Sequence, residues 1–417
     1  MMTAPKRGEG ERGDMAVQDT MPARTVGSGF SVLNDQRVRG VIFQVLLVVG
    51  IVSFGWWIIQ NTATNLRAQG QTFGFGILKD TAGFQINQSL IPYQETSSYG
   101  RVYFVGLLNT LLIGAVGVVF ATILGFVIGI ARLSNNWVIA KMAYVYIEAI
   151  RNIPLLLQIF IWYFAVLRLL PDKRDALDLG PFGLLNIAGL YAPDPVFGDG
   201  AGLIGIALII GIAGTLVIRS WAYKRQMETG QQFPIFLTAV GLIIGLPVLA
   251  YIIAAIAYSG SPIAFEYPVL ARFGPKGGMR VYPEFMGLLF ALSIYTASFI
   301  AEIVRAGILA ISHGQTEAAY SVGLRKGPTL RLVVVPQAMR VIIPPLTSQY
   351  LNLTKNSSLA VAIAYPDLVS VFTGTALNQT GRAVEFILIT MATYLLISLI
   401  TSMFMNWYNR KVALVER

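Results

Sequence analysis

Eight long apolar runs constrain this chain more than any other feature. A helix rises 1.5 Å per residue, so about 20 apolar residues cross a hydrocarbon core roughly 30 Å thick. Residues 41–59, 102–131, 138–166, 203–218, 235–258, 285–309, 341–364 and 384–407 meet that requirement. The run at 203–218 is the shortest, and 138–166 is interrupted by Glu148, Arg151 and Pro154. The expected fold is therefore an all-α integral membrane protein with about eight transmembrane helices.

Composition narrows the function classes. Only 12% of the 417 residues are charged, about half the share of a soluble domain. With no Cys, a thiolate nucleophile or a Cys-ligated metal is excluded, and His313 is the single histidine. We therefore assign no catalytic residue and no metal ligand. The net charge of +10 would point to nucleic acid in a soluble protein. In a membrane protein it reads as cytoplasmic loops facing anionic lipid, so no nucleic-acid partner is expected.

Residues 1–40 are polar, Gly-rich and mixed in charge, which reads as a disordered tail rather than a cleavable signal. If that tail is cytoplasmic, eight crossings leave 19 of the 31 Lys and Arg on its side and 10 on the other, with Arg151 and Lys355 within the membrane. The positive-inside rule thus favours both termini in the cytoplasm. The outer segments 60–101, 167–202 and 259–284 are rich in Gly, Pro and aromatics, as suits an ordered surface at the membrane interface.

The inner loop 312–340 is hydrophilic but patterned. Thr316 is placed to cap a short helix whose first turn holds Glu317, followed by the helix formers Ala318 and Ala319. Gly323 permits a left-handed turn at its end. Gly327–Pro328 breaks the chain again before Leu330–Val335 leads to Pro336. Two short helices in an L shape outside the membrane are expected. By itself this reads first as an ordinary connecting loop, and second as a rigid element for a partner to push.

The spacing of Glu317, Ala318, Ala319, Gly323 and Pro336 resembles the Glu-Ala-Ala coupling loop of ATP-binding-cassette importers. The span before it (Ala291–Leu292, then Glu302 to Ile308) and the one after it (Pro336–Ala338, Pro344–Pro345, Leu353 to Leu359) resemble polar amino-acid permeases. So do Gly106 to Leu111 and Glu148 to Leu156 upstream. Val333 stands where the family usually has Ile, a conservative departure.

The resemblance implies a type I importer core of five helices over 102–166 and 285–408. Beyond it lie a leading span with its loop (41–101), an insertion with two spans (167–284) and a short tail (409–417). This layout is similar to the long permease subunit of general L-amino-acid importers, the type taking up glutamate, glutamine, aspartate and asparagine. It implies ATPase subunits carrying ATP and Mg, a second permease subunit forming a heterodimer, a periplasmic solute-binding protein, a polar L-amino acid as cargo and the bacterial inner membrane as location. The chain has no Gly-x-x-x-x-Gly-Lys-Ser/Thr phosphate loop, so ATP hydrolysis is expected on another subunit and no cofactor on this one.

Charges at membrane depth usually face a bundle or cavity. Glu148 and Arg151 are three residues apart, as are Glu302 and Arg305, so each pair can meet on one helix face. They read as structural ion pairs or as a polar lining for a zwitterion. Lys355 lies about 21 Å into its span, beside Asn356, Ser357 and Ser358. That stripe reads as helix–helix hydrogen bonding or as a substrate pathway. Gly125 and Gly129 form a small-xxx-small pair suited to close helix packing. An ATP-driven importer permease is the leading reading. An ion-coupled secondary transporter is the alternative, and a membrane enzyme lacks a catalytic constellation.

Overall fold

The computed structural model describes residues 36–68 and 74–412. The chain divides into two units, one ending at Phe73 and one beginning at Gly74. The first contributes α1 (Gln36–Ala68), 33 residues long and apolar enough to cross a membrane over Val38–Asn65. Residues 36–40, expected in the tail, belong to this helix. Residues 1–35 and 413–417 of the expected tails lie outside the described residues.

The second unit contains α2 (Tyr99–Ala131), α3 (Trp137–Asn152), α4 (Leu155–Leu169), α5 (Ala201–Thr229), α6 (Ile235–Ala257), α7 (Pro283–Leu309), α8 (His313–Ser321), α9 (Lys326–Ile363), α10 (Val369–Ala376) and α11 (Ala383–Val412). Among the described residues seven helices can each cross a membrane, and α3 with α4 makes an eighth if that bent pair crosses as one.

The interruption expected within 138–166 is a sharp break, because the axis turns by 106° between α3 and α4. Pro154 has no N–H and its ring disfavours a helical residue before it. Ile153 accordingly takes φ −97°, ψ 127°. Gln158 repairs part of the break. Its Nε2 donates to the Ile150 and Ile153 carbonyls, both at 2.9 Å.

The core is organised by α2 packed along α7. Two glycines of α2 make that approach possible. A Cβ on Gly125 would stand 2.5 Å from Ile300 Cγ2, and one on Gly129 would stand 2.7 Å from the Ala301 carbonyl. Three apolar clusters follow the helices. Tyr99, Val102, Leu368, Phe372 and Phe386 form the first. Ile113, Ile159, Leu288, Leu292 and Tyr365 form the second, and Ala121, Ile300, Val304, Ile342 and Leu353 the third.

The 167–284 insertion carries the hairpin of α5 and α6, whose side chains are largely exposed and apolar. Exposure on that scale would be untenable in water and is natural in lipid. The insertion also holds strands the sequence did not announce: β1 (Leu177–Asp178), β2 (Leu184–Asn186), β3 (Gly189–Ala192), β4 (Asp194–Phe197), β5 (Ile263–Glu266), β6 (Val269–Ala271), β7 (Gly274–Lys276) and β8 (Met279–Val281). An antiparallel sheet of order β1-β2-β3-β8 joins residues about 90 positions apart, with Leu190 opposite Val281. β4–β5 and β6–β7 form two-stranded pairs. β8 runs directly into α7, so the sheet caps one end of that helix and α8 follows the other. The 27 residues of α7 separate the two by about 40 Å.

Candidate functional site

The patterned loop folds as α8 followed by the start of α9. Ser312, in an extended conformation, is the N-cap residue. The expected cap, Thr316, lies inside the helix, and Glu317 falls in its second turn rather than its first. The cause is that the chain leaves α7 at Ala310 and Ser312 already extends it for a new start. Glu317 and Ala318 are exposed, while Ala319 is buried.

Gly323 behaves as its residue type requires. Its φ is +83°, its N–H donates to Tyr320 O at 2.9 Å, and the Leu324 N–H donates to Ala319 O at 3.1 Å. These are the paired bonds of a Schellman end. Gly327–Pro328 does not break the chain. It occupies the first turn of α9, where the N–H missing from proline would have had no partner. Pro336 is likewise absorbed, after a widened π-type turn at Leu330–Val334. The second arm is thus the extension of a membrane helix rather than a separate short helix. Gln337 Nε2 donates to Gln315 Oε1 at 3.0 Å and ties the two arms together.

Of the two expected ion pairs, one forms. Arg305 meets Glu302 at 2.6 Å with both side chains about one-third exposed, and Arg132 and Arg151 add attraction toward the same carboxylate. Among the described residues Glu148 and Arg151 form no ion pair. Arg151 turns toward α7, where its guanidinium lies 5.1 Å from the Phe299 ring centroid, while Asn152 Nδ2 bonds the Glu148 carbonyl.

Lys355 is exposed and has no ion pair among the described residues. It sits where α-helical geometry gives way to a 3₁₀ turn over Ser357–Ile363, a terminus that favours a cation. The hydroxyls of Ser357 and Ser358 bond back to Thr354 O and Lys355 O, both at 2.7 Å. Gly307 is packed against Ile342. From that common level Glu302 lies about 8 Å up its helix and Lys355 about 20 Å up its own. The structure therefore does not bring the charged pairs and the Lys355 stripe into one site.

A buried polar knot beside Ser357 was not read from the sequence. Asp367 is fully buried. It accepts from Ser370 N at 2.9 Å and from the Tyr394 hydroxyl at 3.2 Å. Asn109 Nδ2 donates to the Gln88 and Pro366 carbonyls, and Tyr365 donates to Asn109 O. Thr110 accepts from Leu368 N at 3.0 Å. Together these bonds pin segment 364–376 against α2 and α11. The signal available in the sequence is Tyr365-Pro366-Asp367, a turn-forming run between two spans. Among the described residues no group of three or more acidic, His or Cys side chains could hold a metal.

Residues 117–414 match the family described as "Binding-protein-dependent transport system inner membrane component". The chain is 52% identical over 401 residues to a general L-amino acid transport system permease protein of Rhizobium johnstonii, covering 96% of this chain and 98% of that protein. A putative amino-acid ABC transporter permease protein of Escherichia coli K12 is 51% identical, covering 94% and 98%. A glutamate/glutamine/aspartate/asparagine transport system permease protein of Rhodobacter capsulatus is 39% identical, covering 92% and 96%.

Proposed function

Because this chain belongs to the family of inner-membrane components of binding-protein-dependent transport systems, we propose that it is the permease subunit through which an ATP-driven importer moves polar L-amino acids. The observation that carries this reading is α8: a short rigid helix outside the spans, closed by the Gly323 turn and tied to α9 by Gln315–Gln337. Glu317 and Ala318 present its exposed face. ATPase subunits, binding ATP and Mg, press on that face, and α7 and α9 carry the displacement into the membrane. A periplasmic binding protein delivers the amino acid on the opposite side, and a second permease subunit completes the pathway. Coupling then means that the ATPase biases an equilibrium between inward- and outward-facing states.

In this reading both termini are cytoplasmic, and Lys355 with Asn356 and Ser358 lines the pathway, while Ser357, fully buried, backs that stretch instead of lining it. Lys355 meets a substrate carboxylate there. Glu302–Arg305 with Arg151 secures the coupling end of the bundle, and Glu148 remains an exposed group near it. The relatives named for general L-amino acid and for glutamate, glutamine, aspartate and asparagine transport support this choice of cargo.

The test is isolation of the tagged chain from native membranes with its companions, followed by uptake in proteoliposomes. An ATPase, a second permease and ATP-dependent uptake of an amino acid are expected. A chain that comes down alone and transports under an ion gradient without ATP would overturn the proposal in favour of ion-coupled transport.

A further inference from the structure

Where the β1-β2-β3-β8 sheet meets the membrane helices, a cavity of about 290 Å³ opens between the end of α4, the β2–β3 turn and the first turn of α7. It lies at the opposite end of α7 from α8. Its size is at the lower edge of ligand pockets, which run about 300–1,000 Å³ for drug-sized molecules, so it suits something smaller. Tyr163, Arg168, Lys173, Ala188, Arg280 and Glu284 border it.

Arg168, Lys173 and Arg280 bring three cations to the cavity wall. None forms an ion pair among the described residues, although Asp172 and Asp175 flank Lys173 in the chain. Arg280 is held in advance. Its Nε donates to Ala188 O at 2.9 Å, and its guanidinium lies 5.7 Å from the Tyr191 ring and 4.5 Å from the Tyr282 ring. The carbonyl that fixes it is itself placed by Asn186 Oδ1, which accepts from Ala188 N at 2.7 Å. A guanidinium anchored through Nε keeps its terminal N–H groups for an oxygen pair. Ile187 N donates to Pro171 O at 2.9 Å and ties the Arg168–Lys173 segment to the same turn. Glu284 is half-buried and accepts from the Tyr163 hydroxyl through one oxygen at 2.9 Å. Its other oxygen makes no hydrogen bond among the described residues.

We propose that this cavity is a binding site for a free acidic amino acid, with the α-carboxylate on Arg280, the α-ammonium on Glu284 and the side-chain carboxylate on Arg168 and Lys173. Three cations against one carboxylate match a ligand with two carboxylates and one ammonium better than a neutral zwitterion. The assignment rests on the importer reading and adds to it a way-station, outside the membrane span, that acts before the pathway through the bundle.

The test uses the intact assembly purified from native membranes into nanodiscs of zwitterionic lipid, without binding protein. Saturable binding of L-glutamate is expected, weakened at least tenfold by Arg280→Gln and by Lys173→Gln. Lys173→Gln guards against misfolding, since that side chain is exposed. Glutarate, which lacks the ammonium, separates the roles: Glu284→Gln should weaken L-glutamate but leave glutarate binding as tight or tighter. L-Glutamate binding that both cation variants retain at wild-type strength, or no binding at all, overturns the proposal. So does a result in which Arg280→Gln binds free L-glutamate normally but loses only binding-protein-dependent uptake. The cavity would then receive an acidic side chain of the docked protein. Wild-type ATP-driven uptake, measured in the same preparation, shows independently whether the importer reading stands.

Discussion

Replacing Gly323 by alanine tests coupling through a backbone angle alone. The residue has φ +83°, and a Cβ built there meets nothing within 4 Å, so the change adds no clash. What it adds is left-handed strain, about 1–2 kcal/mol for a non-glycine residue. Opposing that strain are the two bonds that close α8, from Gly323 N to Tyr320 O and from Leu324 N to Ala319 O, each contributing about 0.5–1.5 kcal/mol net. The two quantities are comparable, so the closed end should cease to dominate: its closed-to-open ratio should fall by about fivefold or more. Uptake driven by ATP in proteoliposomes, normalised to inserted protein, is expected to fall with it. Gly323→Asn should retain more activity, since Asn enters the left-handed region more readily. Gly327→Ala is the control: its Cβ also meets nothing within 4 Å, and its φ lies outside the left-handed range. Equal uptake by Gly323→Ala and Gly327→Ala would refute the reasoning.

Gly125→Val should lower the thermal stability of the purified assembly by about 1–3 kcal/mol, a typical overpacking cost, because even its Cβ falls 2.5 Å from Ile300 Cγ2; an unchanged unfolding temperature would contradict the α2–α7 seam. Asp367→Ala leaves the half-buried Ser370 N–H and Tyr394 hydroxyl without that acceptor, so a loss of about 1–3 kcal/mol is expected, and Tyr394→Phe should cost less; proteolysis of segment 364–376 reports both. Glu302→Gln should change stability by no more than about 1 kcal/mol, since the pair is one-third exposed and screened; a much larger loss would mean that Arg132 and Arg151 depend on that carboxylate.

Features that depend on local chemistry were legible in the sequence. The spans follow from apolar run length, the Gly323 turn from the absence of a Cβ, and the Gly125–Gly129 seam from four-residue spacing. The Glu302–Arg305 pair follows from helix geometry. What stayed hidden depends on long-range closure. The β3–β8 pairing joins segments separated by two membrane helices, and no local pattern in strands of three or four residues announces it. Asp367 acquires its surroundings from α2 and α11 together. At Pro154 the sequence announced an interruption but not its angle, which follows from how α4 repacks against α7 and from the Gln158 bonds. Thr316 lost the cap position because Ser312, four residues earlier, already offered an extended start.

One continuous helix carries both ends of this arrangement. Leu309 leads within four residues to the first residue of α8, and Glu284, one residue from the other end of the same rod, faces the cavity beneath the sheet. Gly125 and Gly129 let α2 close onto Ile300 and Val304 of α7, a helix about 40 Å long. A tilt of that helix in response to its inner end would carry its outer end with it. Pressure on α8 would therefore be felt at Glu284 as a change in cavity shape, and filling the cavity would alter how readily α8 yields.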